Sequence, residues 1–406
     1  MEPSFVERVR QRLVTLRESR FRNALVQELP DSALEQASAL DKIPAQEMNR
    51  LPLAGLVFVV KDNIDVYGQP SKIGSPGLSW SEAARDAWVV ETLKAAGAVL
   101  LGKSHMNEFA AGLDGCNNHY PRLKNPRYEN KLTGGSSSGS AVAAAAGLVD
   151  FAIGTDTGGS IRIPGCWNGV WGLRLGTDPL QLAGVFPRSP SLDALGVVSQ
   201  SLGCIFRVAQ ALGGFGGTLS SVRLGYDPSC LKTMSSKSRA RFLEKIQVLS
   251  SRFELYPVDL SDLLNATDKI TQLLKAEFHE IFSSKFPDPT VYKDLGPVVL
   301  HELKASSTLV AGRPHLQKDL SSLGKRVLER TRAEVDFLLT PLCLDEAPDL
   351  HDDHSRNDRF YTVALSLLGC PVLGIPYPDV ADGYQLTSLH GNNSCFESLA
   401  LDLSRL

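Results

Sequence analysis

Residues 134–160 read GGSSSGSAVAAAAGLVDFAIGTDTGGS. Glycine and serine crowd both ends of the stretch, with an alanine run between them. That run has high helix propensity and small side chains that permit close packing, so it predicts a helix from about Ser140 to Leu148. Phe151 to Gly154 predicts a short strand. Glycines at both ends require the backbone to bend tightly or to approach something closely. Upstream, Leu53 to Val60 (LAGLVFVV) is short, apolar and β-branched, which predicts a strand buried on both faces. Val89, Val90, Leu93 and Ala96 follow at helical spacing, with Asp86 as the expected N-cap and Gly97 just past the helix end. Ala98 to Leu101 (AVLL) predicts a second buried strand. Strand, helix and strand at this spacing point to an α/β sheet.

The chain has 406 residues, 43% hydrophobic and 21% charged, with a formal net charge of −3. A substantial core can form, which argues against disorder. A polyanion partner needs a strong basic excess, so direct nucleic-acid binding is disfavoured. Seven cysteines, an odd number without a CxxC pair, favour a reducing compartment and argue against a thiolate zinc site. The longest small-apolar run, Ala141 to Val149, stops at Asp150 and is too short to span a bilayer.

The first thirty residues are arginine-rich, but Glu2, Glu7 and Glu18 interrupt the basic face and no apolar signal core follows. Phe5, Val9, Leu13 and Leu16 predict an amphipathic helix packed on the body, and the cytoplasm is the expected location. After about residue 215 the chain becomes more charged. Ser236–Phe253, Leu260–Phe286 and Leu320–Phe337 read as helices of a capping region. Phe337–Thr340 and Pro371–Ile375 read as strands returning to the sheet.

The serine loops allow several chemistries. GGSSSGS lacks the Gly-Lys-Ser/Thr ending of a phosphate-cradling loop. Gly135 to Gly139 matches GxSxG, with Ser137 as nucleophile and Asp345 and His390 following in hydrolase order. However, the preceding Tyr128 to Thr133 (YENKLT) is too polar for the buried strand such an elbow requires. Ser160 follows Thr157-Gly158-Gly159 directly after a predicted strand. Consecutive glycines let backbone N–H groups converge on one spot, as an oxyanion hole needs. A serine hydroxyl is a weak nucleophile and requires a base. Asp156 is a feeble one, and no histidine lies in the segment. Lys61, at the end of the most hydrophobic strand, can serve if burial lowers its pKa from about 10.4. Alone, Ser160 reads as a helix N-cap and Ser136 and Ser137 as loop serines. His351-Asp352-Asp353-His354 resembles a metal cluster but sits in an acidic, Pro-flanked loop. Cys116, Cys166, Trp167 and Trp171 read as packing residues.

Lys61-Asp62-Asn63-Ile64-Asp65-Val66, the GGSSSGS loop and GTDTGGSIRIP (Gly154 to Pro164) together closely resemble the amidase signature family. The likeness extends through Lys103, Asn107, Glu108 and Phe109, and through Ser191, Leu192, Asp193 and Gly196. It is fainter at Leu338–Pro341 and Gly369–Pro371. The resemblance implies an α/β fold with a mixed central sheet flanked by helices on both faces. It implies one amidase domain over 1–406, with a signature core at 35–205 and a variable, substrate-covering helical region at 215–335. It also implies a Ser–cis-Ser–Lys triad: Ser160 as nucleophile, Ser136 after a cis peptide as bridge, and Lys61 as base. Thr157, Gly158 and Gly159 match the oxyanion loop, Asp156 and Arg162 its supports, and Ser137 and Thr155 further hydrogen-bonding positions. Such a relay uses no metal or organic cofactor.

The pattern departs from the family at Ser138, where many members carry glycine, at Asn168, often cysteine, and at Arg174-Leu175-Gly176-Thr177, usually a Lys-Pro-Thr turn. The implied activity is hydrolysis of a small amide, closest in look to indole-acetamide hydrolases and the amidase part of allophanate hydrolase. The alternatives are the glutamine-hydrolysing component of a tRNA-dependent amidotransferase, and a non-catalytic amidase-like interaction domain. The expected partner is a small-molecule amide, with no membrane and with a homodimer left open.

Overall fold

The computed structural model describes residues 3–213, 222–351, 359–391 and 394–405. Its strands are β1 (Leu25–Glu28), β2 (Val57–Lys61), β3 (Val99–Ser104), β4 (Phe151–Thr155), β5 (Trp171–Arg174) and β6 (Leu195–Ser199). They continue with β7 (Leu224–Tyr226), β8 (Leu255–Pro257), β9 (Phe337–Pro341), β10 (Val372–Pro376) and β11 (Gly383–Ser388). They form one 11-stranded sheet in the order β1-β3-β2-β4-β6-β5-β10-β11-β9-β7-β8. β2 runs parallel to both β3 and β4, while β6 lies antiparallel to β4. The sheet is mixed, as the family pattern implied.

Helices cover both faces at β2, because alternate side chains of a strand point to opposite sides. Val57 and Val59 pack with Val9, Leu13 and Leu16 of helix Phe5–Glu18. Phe58 and Val60 pack with Val89, Val90 and Leu93 of helix Trp88–Ala95. Phe58 also stacks on Phe151 of β4, with centroids 5.1 Å apart. Lys61 and Thr155 are therefore held at the carboxyl ends of two neighbouring, fully buried parallel strands. In open α/β sheets such ends are where sites are built.

Several boundaries differ from the sequence expectation. Residues 53–55 form a turn, and the strand starts only at Val57. Asp86 does not cap the following helix. Ala87 holds that position, and the Asp86 carboxylate accepts from Tyr67 N–H at 2.8 Å and pairs with Lys94 at 2.7 Å. Gly97 does follow the helix end, with φ +92°. The alanine helix runs from Ser138 to Ala145, two residues earlier than expected at its start, so Ser136 and Ser137 lie immediately before its first turn. Gly139 is required there. A β-carbon on it would stand 2.3 Å from Ala24 O and 2.4 Å from His105 N. The expected capping helices are Ser236–Ser250, Ser261–Leu264, Thr267–Lys285 and Arg313–Glu334.

Candidate active site

Lys61 is fully buried among neutral partners. Its Nζ lies 2.8 Å from Ser136 Oγ, 2.9 Å from Thr155 Oγ1 and 3.5 Å from Thr155 O. Burial lowers its pKa to about 7. Asp156 and Asp193 pull it back up, and Arg188 pushes it further down. An amine in this environment is substantially uncharged at neutral pH, which a lysine in water is not.

The Gly135–Ser136 peptide is cis. Ser137 braces the loop, donating its hydroxyl to Thr155 O at 3.1 Å and its N–H to Ser160 O at 3.2 Å. Asn107, one of the upstream matched residues, donates its N–H to Ser136 O at 3.2 Å. These bonds join three sequence-distant segments around one point.

Ser160 is buried at 6% exposure, and its hydroxyl has no hydrogen-bond partner among the described residues. The Lys61–Ser136 link is thus closed, while Ser136 and Ser160 are not joined by a hydrogen bond. Nor is Ser160 an N-cap, because helix Arg162–Trp167 begins after Ile161.

Asp156 shapes the loop before Ser160. It accepts from the N–H of Gly159 at 2.7 Å, of Ile161 at 3.1 Å and of Arg162 at 3.3 Å. The Arg162 guanidinium grips the same carboxylate through Nε at 2.9 Å and Nη2 at 2.8 Å, and Arg174 Nε stands 3.8 Å away. Burial alone would raise the Asp156 pKa, but the two guanidiniums and the Gly159 N–H hold it well below the usual carboxylate range. Arg174, which departs from the family pattern, is therefore a second cation for Asp156. Asn168, the other departure, donates to Thr133 O at 2.6 Å and Pro164 O at 2.7 Å and ties the two glycine-rich segments together.

Gly159 donates its N–H to Asp156 at 2.7 Å, and this bond shapes the turn. Its φ of +118° and the 2.5 Å that a β-carbon would leave to Thr362 Oγ1 both demand glycine. The N–H groups of Thr157, Gly158 and Ser160 carry no hydrogen bond among the described residues. The Ser160 N–H is thus unspent beside those of Thr157 and Gly158, a feature that the sequence alone does not announce. Thr157 is fixed by its hydroxyl, which donates to Asp193 at 2.6 Å, and Gly158 O accepts from the Thr362 hydroxyl at 2.7 Å. Thr362 lies 202 positions downstream of Ser160 and carries no motif to announce it.

The competing constellations are not assembled. Ser137 is committed to Thr155. Asp345 accepts from Ser235 at 2.8 Å, and His390 pairs with Asp336 at 3.2 Å. His105 does meet the loop, at 2.9 Å from Ser138, but both side chains are buried and the ring is held neutral by burial, with its pKa at about 4. Asp352, Asp353 and His354 lie outside the described residues, and among the described residues no group of three His, Cys, Asp or Glu side chains is placed to hold a metal. Cys166 is buried with its thiol pKa pushed up, Cys116 is half-buried beside Arg122, and Trp167 packs in the core. Trp171 lines a cleft of about 620 Å³ that contains none of the Lys61, Ser136 and Ser160 side chains. Among the described residues no helix is long and apolar enough to cross a membrane.

Known proteins place this arrangement in context. The amidase family model matches residues 11–214. The indoleacetamide hydrolase of Pseudomonas syringae pv. syringae is 34% identical over 225 residues, 54% of this chain and 50% of that protein. The A component of the glutamyl-tRNA(Gln) amidotransferase of Methanosarcina mazei is 39% identical over 187 residues, 46% of this chain and 38% of that protein. The chain thus aligns with half or less of the length of these curated relatives. A solved amidase crystal structure superposes with a TM-score of 0.84 at 28% identity, covering 100% of this chain and 96% of that one. On the strength of the family match and the shared fold, the chain belongs to the amidase signature family.

Proposed function

We propose that the chain is an amidohydrolase that cleaves a small carboxamide to a carboxylate and ammonia or an amine. The observation that carries this reading is the fully buried amine of Lys61, its pKa lowered to about 7 by burial, at 2.8 Å from Ser136 Oγ. A lysine kept deprotonated by burial is a base, and a scaffold gains nothing from holding one there.

The unpartnered Ser160 hydroxyl turns to Ser136 when substrate enters, closing the second link. Ser160 Oγ attacks the amide carbon, its proton passes to Ser136, and the Ser136 proton passes to the lone pair of Lys61 Nζ. The carbonyl oxygen gains negative charge facing the free N–H groups of Thr157, Gly158 and Ser160. The C–N bond then breaks as Lys61 returns a proton through Ser136 to the departing nitrogen. Water attacks the Ser160 acyl ester, losing its proton along the same route, and the carboxylate leaves. Asp156 and Arg162 hold the loop and touch no reacting atom. The helices of the described residues 222–335 are placed to cover the site. Helix Thr267–Lys285 packs Phe278 and Phe282 against Phe109 and sets Ile270 and Leu273 beside Val363.

Ammonia release from a panel of small amides, including glutamine, indole-acetamide, malonamate and allophanate, tests the activity. A serine-directed fluorophosphonate is expected to label Ser160, and peptide mapping of the adduct to Ser137 overturns the assignment. The likeness to an amidotransferase component carries a second reading, hydrolysis of glutamine for a partner protein. Glutamine as the best substrate, together with co-purification of a tight partner, would select it.

A further inference from the structure

The place of Thr157 is set by a turn, and that turn is set by a helix from the charged region downstream. Thr157 donates its hydroxyl to one carboxylate oxygen of Asp193 at 2.6 Å. The other oxygen accepts the N–H of Arg188 at 2.8 Å and of Ser189 at 2.9 Å. The N–H groups of Leu192 and Asp193 both donate to Ser189 O, each at 2.8 Å. Residues 188–193 therefore form one compact turn, and Thr157 is tied to it.

Glu277, in helix Thr267–Lys285, clasps this turn. Its carboxylate accepts from Ser189 Oγ at 2.5 Å, from Ser191 Oγ at 2.5 Å and from the Ser191 N–H at 3.2 Å. Gln317, in helix Arg313–Glu334, donates to Ser191 Oγ at 2.9 Å. Leu192 packs with Ile270, Leu273 and Leu274 of the Glu277 helix and with Val363. Val363 in turn stands 3.3 Å from where a β-carbon on Gly158 would lie.

Glu277 is 4% exposed and forms no ion pair among the described residues. Taking a carboxylate out of water without a cation is costly, and an apolar side chain would serve packing alone. What the carboxylate adds is direction: three bonds onto two serines fix where the turn sits.

We propose that Glu277 is a positioning residue for the Ser160 reaction. It holds the 188–193 turn so that Asp193 keeps Thr157, and with it the free N–H groups of Thr157 and Gly158, aimed at the substrate carbonyl oxygen. Glu277 itself touches no reacting atom. The proposal rests on the amidohydrolase reading above. Glu277→Ala is expected to lower kcat about 10- to 100-fold with KM little changed, because a misplaced donor loses stabilisation made only in the transition state. Glu277→Gln keeps an acceptor oxygen and should recover part of the rate. Ser191→Ala removes one bond only, should lower kcat in the same direction, and decides the matter if Glu277→Ala does not fold. A double-variant cycle identifies the route: Thr157→Val combined with Glu277→Ala should cost no more than the larger single loss. A lowered melting temperature with kcat unchanged, or losses that multiply across the cycle, would overturn the proposal. Hydrogen exchange of the peptide spanning residues 154–163 separates this inference from the chemistry, and it should be faster in Glu277→Ala than in wild type. Faster exchange in a protein whose Ser160 takes no fluorophosphonate keeps the hold of Glu277 on the loop and overturns the hydrolase reading. A Ser160 adduct with exchange and kcat indifferent to Glu277 does the reverse.

Discussion

Lys61→Ala is expected to lower kcat/KM on any hydrolysed amide by about 100- to 10,000-fold, the usual range for losing a general base. The side chain is buried and its neighbours are hydroxyls and a carbonyl rather than a carboxylate within bonding distance. Its removal therefore strands no paired charge, and a melting curve should show a folded variant. The pH dependence gives a sharper signature. Lys61 must be uncharged to accept a proton, and burial places its pKa at about 7. Activity of the wild type should rise through that pH and flatten above it, and Lys61→Ala should lose this limb. His390→Ala should keep both rate and limb, because His390 pairs with Asp336 at 3.2 Å and meets none of the reacting groups. The reverse pattern in the two variants would remove the lysine relay.

Asp156→Ala should have the largest effect on stability. It deletes the carboxylate that binds Arg162 at 2.8 and 2.9 Å, leaving a fully buried guanidinium without its counter-ion. Breaking a buried pair by removing one partner costs about 3–5 kcal/mol. The loop N–H groups of Gly159 and Ile161 lose their acceptor as well. The direction of the pH effect follows from the depressed pKa. The Asp156 contribution is complete above the ordinary carboxylate value of 3.8 and disappears only as pH falls through the much lower folded-state value. Urea titration at pH 7 should therefore show the full difference between variant and wild type, narrowing in strong acid. Arg162→Met added to Asp156→Ala should cost less than the two changes summed, since the second change removes the stranded charge. A fully additive double variant would show that the pair is not the source of the loss.

The parts of this molecule that can be read from sequence are those where chemistry is local. Buried parallel strands are continuous apolar runs, so β2, β3 and β4 are visible, as is the helix that follows the serine loop. The glycines of 134–160 announce a special backbone, and the spacing of Lys61, Ser136 and Ser160 matches one family. What stays hidden depends on residues brought from afar. β11 carries the buried polar Gln385, Thr387 and Ser388, so its pattern is not that of a core strand. Gln385 is buried because it accepts from Arg162 at 2.7 Å, a partner 223 positions upstream. Thr362 likewise has ordinary surroundings in the sequence and acquires meaning only when the helix after residue 359 meets Gly158. The misplaced strand start at Leu53 has a simple origin: LAG is apolar, but Gly55 takes a positive φ of +72° and turns the chain before β2 begins.

The most direct test of the central claim is the rate at which a fluorophosphonate inactivates Ser160 as a function of pH. Wild type should show a single rising limb with a midpoint at about 7, with the adduct mapped to Ser160, and Lys61→Ala should react slowly with no such limb. An adduct elsewhere, or a limb that survives loss of Lys61, would contradict the account.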